Sequence, residues 1–192
     1  MPNDLIPLLS EIQTCTCCAD HLPLGPRPVV RISQTARILI IGQAPGTKVH
    51  ASGIPWDDAS GKRLRQWMGV DDKTFYDASR IAIMPMGFCY PGKGKSGDLP
   101  PRAECAPQWH QPLKEQMPDI ELTLLIGQYA QNYYLKDDVK TLTERVKNWR
   151  DFPPEYFALP HPSPRNQIWL KKNPWFEAEV IPHLQSRIKQ LL

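Results

Sequence analysis

The sequence predicts an α/β fold in which a parallel β-sheet is covered by helices on both faces. Short apolar runs rich in β-branched residues alternate along the chain with stretches of helical periodicity. The apolar runs are too short for helices and suit strands that are buried on both faces. Strands that alternate with helices are typical of a parallel sheet, because each helix returns the chain to the edge where the next strand begins.

The predicted elements follow from these runs and from the residues that interrupt them. The predicted strands span residues 38–41, 80–84, 122–126 and 156–159. The predicted helices span residues 4–13, a segment that carries Leu64, Trp67 and Met68, and residues 100–116, 128–134, 139–149 and 175–192. Leu64, Trp67 and Met68 have helical spacing, and Asp58 or Ser60 is the expected cap of their helix. A chain of 192 residues suffices for one sizeable core, so we expect a single domain over residues 1–192.

The composition is that of a water-soluble globular protein, with 41% hydrophobic and 22% charged residues. No stretch approaches the roughly 20 apolar residues of a membrane span, and the first residues do not resemble a signal peptide. We therefore expect a cytoplasmic protein without membrane contact. In that compartment its five cysteines are more often metal ligands or free thiols than disulfides.

A turn with the sequence Gly42-Gln-Ala-Pro-Gly46 follows the first predicted strand. Its glycines permit backbone angles that other residues avoid, and its proline fixes the middle, so the turn can present backbone N–H groups to a ligand. A purely structural turn is an equal alternative. The spacing of a dinucleotide site or a phosphate loop is missing, which argues against a nucleotide cofactor.

A second polar segment, residues 53–61, places Trp56 behind a proline and before two aspartates. A loop tryptophan can be a stacking platform for a base, although it is more often a lid over the core. Asp57 and Asp58 are candidate general bases, and capping of the next helix explains one of them without any chemistry.

The cysteines form two pairs, Cys15 with Cys18 and Cys89 with Cys105. Four cytosolic cysteines in two pairs suit Zn²⁺ or an iron-sulfur cluster. Buried free thiols are the alternative for the second pair, and Cys17 can replace a neighbour in the first.

A stiff loop, His161-Pro-Ser-Pro-Arg-Asn166, follows the last predicted strand. Prolines on both sides of His161 hold its side chain in place, which favours a functional histidine over a structural one. Basic residues interleaved with aromatic ones suit a phosphate backbone and unstacked bases, although a solvated surface is an equal alternative for any one cluster. These residues are Lys62, Arg63, Arg65, Lys93, Lys95, Arg165, Lys171 and Lys172, together with Trp169 and Trp175.

Taken together, these motifs resemble those of the uracil-DNA glycosylase superfamily, and most closely its iron-sulfur branch. The resemblance rests on residues 42–46, Gly53 to Trp56 with Gly61, Leu125 to Gly127 with Ala130, His161 to Ser163, and the four cysteines. It implies a three-layer α/β/α sandwich with a central four-stranded parallel sheet. The implied activity is hydrolysis of the N-glycosidic bond of a flipped uracil or related deaminated base in DNA, as in base-excision repair.

The resemblance also implies roles for individual residues. His161, Gln43 and Asp57 are the expected catalytic residues. His161 is the donor to the carbonyl oxygen of the base, and Gln43 positions the base and the water. The residue that activates the water is unassigned, and its nearby candidates are Asp57, Asp58 and His50. The expected base-binding residues are Gly42, Gln43, Ala44, Trp56 and His161. The expected DNA-binding residues are Ser163, Arg165, Asn166, Lys171 and Lys62. Cys15, Cys18, Cys89 and Cys105 would hold a 4Fe-4S cluster, with zinc or no metal as the alternatives. The expected partner is DNA that contains a damaged base, and the protein is expected to be a monomer.

The chain departs from the family's pattern at two places. Gln43 stands where the iron-sulfur branch carries an acid, and Ala44 stands at the superfamily's other water-activating position. Residues 84–88 offer no side-chain amide where many relatives read uracil with asparagine. Two alternatives therefore stay open, a non-catalytic DNA- or base-binding protein and a glycosylase for another damaged base. A nucleotide-binding or metal-dependent hydrolase is the third and weakest.

Overall fold

A computed structural model describes residues 4–192 and has a four-stranded parallel sheet at its centre. The strands in chain order are β1 (Ile38–Ile41), β2 (Ile81–Ile83), β3 (Lys93–Gly94), β4 (Gly97–Asp98), β5 (Leu122–Ile126) and β6 (Tyr156–Leu159). The parallel sheet has the order β2-β1-β5-β6, and β3 pairs with β4 in a separate antiparallel hairpin. The predicted α/β class and the four predicted strands are confirmed.

Helices cover the sheet. They are α1 (Leu5–Gln13), α2 (Thr47–Ser52), α3 (Ala59–Met68), α4 (Asp72–Phe75), α5 (Cys105–Glu115), α6 (Gln128–Tyr134), α7 (Leu142–Lys147), α8 (Gln167–Lys172) and α9 (Ile181–Leu191). Short 3₁₀ turns lie at Ala19–His21, Trp149–Asp151 and Pro164–Asn166, and a π turn at Phe176–Val180 precedes α9. Among residues 4–192, no helix has both the length and the apolar character needed to cross a membrane.

Side chains of β1 alternate between two apolar layers, as a strand buried on both faces requires. Ile40 packs in the layer that contains Leu64 of α3 and Leu184 of α9. Leu39 packs in the opposite layer with Leu113 of α5. The sheet thus lies between two helical layers, which is the predicted three-layer α/β/α arrangement.

Three predicted helices have different limits in the structure, and proline or a cap explains each difference. Helix α5 begins at Cys105 rather than at Pro100, and Pro101 explains part of this difference, because the residue before a proline is disfavoured in helical conformation. Helix α7 begins after Thr141, whose hydroxyl accepts from the N–H of Glu144 at 3.2 Å. The last helix is preceded by the π turn, because Pro182 near its start has no N–H to donate.

The order in which the chain adds strands reverses between β1 and β5, so the topological switch point of the sheet lies between these two strands. From β1 the chain goes to β2 on one side, and β5 and β6 lie on the other side. Ligands of open α/β sheets bind in the crevice outside the carboxyl ends of the strands at such a point. Residues 42–46 leave β1 there, and His161 follows β6 at the same edge.

Candidate functional site

A pocket of about 440 Å³, including its open mouth, lies at the carboxyl edge of the sheet. Its lining comprises Val29, Gly42, Gln43, Ala44, Pro45, Gly46, Val49, Pro55, Trp56, Asp58, Ile83, Pro85 and His161. All the residues expected to bind the base, namely Gly42, Gln43, Ala44, Trp56 and His161, therefore lie around one cavity.

The turn after β1 is held by the chain that follows β2. The carbonyl oxygen of Gly42 accepts from the N–H of Met86 at 2.9 Å, and that of Gln43 accepts from the N–H of Gly87 at 3.0 Å. These bonds continue the pairing of β1 with β2 beyond the strands and fix the turn as a rigid wall. The side chain of Gln43 donates from Nε2 to the carbonyl oxygen of Leu99 at 3.4 Å.

Trp56 forms a second wall of the pocket, and two glycines make room for it. Among the non-glycine residues of the described chain it alone has a positive φ, at 59°. A Cβ on Gly42 would lie 2.7 Å from its Cζ2 atom, and a Cβ on Gly61 would lie 1.7 Å from its carbonyl oxygen. Arg65 donates to the same carbonyl oxygen at 3.3 Å. Residues held in such unfavourable backbone conformations cluster at functional sites.

His161 lies beside Trp56, with 5.7 Å between the ring centroids. The side chain of Asn166 donates to the carbonyl oxygen of His161 at 2.7 Å, which keeps the loop in shape. The Nδ1 atom of His161 is buried and has no hydrogen-bond partner in the structure of residues 4–192. Burial lowers the pKa of His161, and the nearby Asp58 opposes this shift only in part. A neutral imidazole with an unsatisfied nitrogen is therefore available to a ligand.

Of the two neighbouring aspartates, Asp58 lines the pocket and Asp57 does not. Asp58 caps α3, since its carboxylate accepts from the N–H of Gly61 at 2.8 Å, and this bond fixes the side chain next to the pocket. Asp57 is exposed to solvent outside the pocket lining. Of the two carboxylates, Asp58 is thus the one beside the pocket, and the catalytic role expected for Asp57 stays a prediction.

Residues expected to bind DNA surround the mouth of the pocket only in part. Arg165 is exposed in the loop that follows His161 and donates to the carbonyl oxygen of Ser96 at 2.9 Å. The hydroxyl of Ser163 accepts from the N–H of Arg165 at 3.2 Å, so it supports the loop. The amide of Asn166 is likewise engaged inside the loop.

The two lysines expected to bind DNA lie on helices near this loop. Lys62 is exposed on α3. Lys171 of α8 lines a surface groove together with Arg63, which donates to the carbonyl oxygen of Ser163 at 3.2 Å. The groove therefore adjoins the loop that carries His161, and its cations are available to a polyanion.

The four cysteines of the two predicted pairs line a second, smaller cavity. The cavity lining comprises Cys15, Cys18, Cys89 and Cys105 with Ile12, Leu22, Pro28, Phe88, Arg102 and Trp109. Cys17 is exposed and lies outside this lining. Burial raises the pKa of the Cys18 and Cys105 thiols to about 11.

The four thiols of this cavity are candidate ligands for a metal ion or a cluster. Within residues 4–192 no three His, Cys, Asp or Glu side chains converge on a point where one ion could be held. The four thiols line the same cavity, so they are the residues that would hold a metal or an iron-sulfur cluster.

Two buried polar residues support the pocket, and no pattern in the sequence identifies either of them as buried. Gln131 of α6 has no exposed surface, and its Nε2 atom donates to the carbonyl oxygens of Leu125 at 3.1 Å and Leu159 at 2.9 Å. It ties the carboxyl ends of β5 and β6 together. In the sequence Gln131 is one polar residue among several on a short helix, and nothing distinguishes it from a surface residue.

The second buried residue is His110 of α5, which is 2% exposed. Its Nε2 lies 3.0 Å from the carbonyl oxygen of Pro85, and its Nδ1 lies 2.7 Å from the hydroxyl of Tyr134. A carbonyl oxygen can only accept, so we assign the proton to Nε2 and Tyr134 donates to Nδ1. His110 thereby fixes a residue of the pocket lining.

Comparisons with known proteins agree with the motifs at this edge of the sheet. The family model of the Uracil DNA glycosylase superfamily matches residues 30–185. An NMR structure of a proposed uracil DNA glycosylase from Methanosarcina acetivorans is similar to this chain with 20% sequence identity. The match covers 81% of this chain and 95% of that chain, with a TM-score of 0.45. Because the family match spans most of the sequence, the chain belongs to the uracil DNA glycosylase superfamily.

Proposed function

We propose that the protein is a DNA glycosylase that hydrolyses the N-glycosidic bond of a flipped uracil or related deaminated base. One observation carries the proposal: the Trp56 ring, the neutral His161 imidazole beside it and the rigid turn of residues 42–46 all line a single pocket. Membership of the superfamily supports hydrolysis of N-glycosyl bonds as the reaction class.

In the proposed reaction the pocket receives a base that has been extruded from the duplex. Extrusion costs a few kcal/mol, which stacking and edge hydrogen bonds must offset. The ring of Trp56, locked against Gly42, is the stacking platform. Without a side-chain amide in residues 84–88, the edge of the base is read by backbone groups and by Gln43.

The chemistry follows from the charges that develop as the bond breaks. Negative charge grows on the carbonyl oxygen of the leaving base, and one donor aimed at such an oxygen lowers a barrier by about 3 kcal/mol. His161 is that donor, because its lowered pKa keeps the imidazole neutral and able to donate an N–H.

Asp58 is the carboxylate placed to activate the water. It lines the same pocket as His161, and the turn after β1 supplies no acid of its own. The water oxygen bonds to the sugar carbon as the glycosidic bond breaks, the bond's electron pair leaves with the base, and Asp58 accepts a proton from the water. Its negative charge also favours the positive charge that develops on the sugar.

Oligonucleotide cleavage tests the proposal. Single- and double-stranded oligonucleotides that carry uracil, hypoxanthine or xanthine are incubated with the protein, and abasic sites are then cleaved with alkali. We expect strand breaks at one or more of these bases. If no modified base yields a break while the oligonucleotides still bind in a salt-sensitive way, the protein is a non-catalytic member of the superfamily.

We further propose that the cysteine cavity holds a 4Fe-4S cluster, as in the iron-sulfur branch of the superfamily. Such a cluster would be structural and would join the segment after α1 to the start of α5 through Cys15, Cys18, Cys89 and Cys105. Anaerobically purified protein should be brown and contain about four irons per chain.

Single serine variants test the ligand set. Cys89→Ser should lose the colour and iron, whereas Cys17→Ser should keep both, because Cys17 lies outside the cavity. A colourless protein that contains zinc would contradict the cluster.

A further inference from the structure

The hairpin of β3 and β4 borders the base pocket. The Oδ2 atom of Asp98 lies 3.4 Å from the position that a Cβ on Gly46 would occupy, and Gly46 belongs to the pocket lining. The carbonyl oxygen of Leu99, just after β4, accepts from the side chain of Gln43. One end of the hairpin is therefore in contact with the turn that forms a wall of the pocket.

Arg165 attaches the hairpin to the other wall. Its guanidinium donates to the carbonyl oxygen of Ser96 at the tip of the hairpin and lies 3.0 Å from the position of a Cβ on Gly97. Gly97 has a φ of 146°, so this close approach occurs where glycine is needed. The hairpin thus spans the site between the turn after β1 and the loop that carries His161.

Two exposed cations, Lys93 and Lys95, lie on the hairpin. Lys93 is paired with Asp98 across the two strands, so their side chains project from the same face, and the Oδ2 atom of Asp98 lies next to Gly46 of the pocket lining. Burial raises the pKa of Asp98, and the positive charges of Arg165 and Lys93 oppose this shift. The hairpin therefore carries two cations next to a wall of the pocket, where they can reach the phosphates beside an extruded nucleotide.

We propose that the hairpin of residues 93–98 is a clamp for the DNA backbone, that Lys93 and Lys95 bind phosphates next to the extruded nucleotide, and that Arg165 holds the clamp in position. This inference rests on the proposed function, because it takes DNA as the substrate. It changes the expected role of Arg165, which acts through the hairpin rather than by its own contact with DNA.

The experiment measures the salt dependence of binding. The probe is a duplex oligonucleotide with a tetrahydrofuran analogue of an abasic site, and its dissociation constant is measured by fluorescence anisotropy in a KCl series. The slope of the logarithm of the association constant against the logarithm of the salt concentration is negative, and each lost phosphate contact reduces its magnitude by about 0.9. A lower slope below means a smaller magnitude. We expect Lys93→Ala with Lys95→Ala to lower the slope by about 2.

A matched control uses Lys136→Ala with Lys140→Ala. These two exposed lysines lie in the loop after α6, which leads away from the carboxyl edge of the sheet. The slope of this variant should equal that of the unchanged protein.

A double-mutant cycle tests the role of Arg165. If Arg165 positions the hairpin, Arg165→Ala alone lowers the slope by about 2, as the lysine pair does, and the combined variant shows no further loss. If Arg165 contacts DNA independently, it lowers the slope by about 1 and the combined variant by about 3. The second pattern overturns the positioning role. A lysine-pair variant that behaves like the control overturns the clamp.

The clamp and the proposed function can fail separately. If the unchanged protein cleaves a modified oligonucleotide but replacement of the two hairpin lysines leaves the slope unchanged, only the clamp is refuted. A protein that neither binds nor cleaves DNA refutes both. Thermal unfolding of each variant confirms that the comparison is made between folded proteins.

Discussion

Replacement of His161 by alanine is expected to lower the rate constant of base excision by roughly 100- to 1,000-fold, the effect of removing one donor to a developing oxyanion. The imidazole lies beside Trp56 in the pocket, and burial keeps it neutral. The hydrogen bond from the neutral imidazole N–H to the carbonyl oxygen of the base becomes stronger as negative charge grows on that oxygen. The variant therefore loses rate in the chemical step.

Single-turnover kinetics with excess protein measure that step directly. Binding to an oligonucleotide with an abasic-site analogue should change little in the same variant. His183→Ala is the matched control, because His183 is exposed on α9 away from the pocket. Equal losses of binding and rate in His161→Ala would remove His161 from the catalytic role.

Acid should destabilise the protein through His110, whose buried ring has a pKa lowered from 6.5 to about 4. Because the folded state binds fewer protons than the unfolded state between these values, the free energy of unfolding falls as the pH falls through this window. At 1.36 kcal/mol per pKa unit, the full loss is about 3 kcal/mol between pH 7 and pH 4.

Urea denaturation at a series of pH values tests this linkage. His110→Gln removes the titrating ring, so its free energy of unfolding should depend less steeply on pH between 6.5 and 4 than that of the unchanged protein. His161 and His183 also have lowered pKa values, and comparison of the two proteins cancels their contributions. Identical pH dependence in both proteins would show that His110 does not account for the effect.

The sheet and the main walls of the pocket could be predicted from local sequence. Runs such as Ile38–Ile41 have one plausible structure, because four apolar, largely β-branched residues are too few for a helix. Glycine and proline mark where these strands end, so residues 42–46 and His161 could be assigned to one edge before the fold was known.

The choice between neighbouring carboxylates could not be predicted in the same way. Asp57 and Asp58 lie in a segment without periodicity, and only the direction in which α3 starts decides which of them lines the pocket. The hairpin was missed for a related reason: its strands have two residues each, without apolar alternation, and its position depends on Arg165, which lies far along the chain. Such tertiary contacts leave no local pattern.

The stretch that connects β2 to the cysteine cavity has a practical consequence for handling the protein. Pro85 lines the base pocket and accepts from His110, whereas Phe88 and Cys89 line the cysteine cavity. Residues 85–89 therefore connect the base pocket directly to the cysteine cavity. We therefore expect air oxidation or alkylation of Cys89 to shift the chain that lines the base pocket, so that an aged preparation shows lower activity than one kept under reducing conditions.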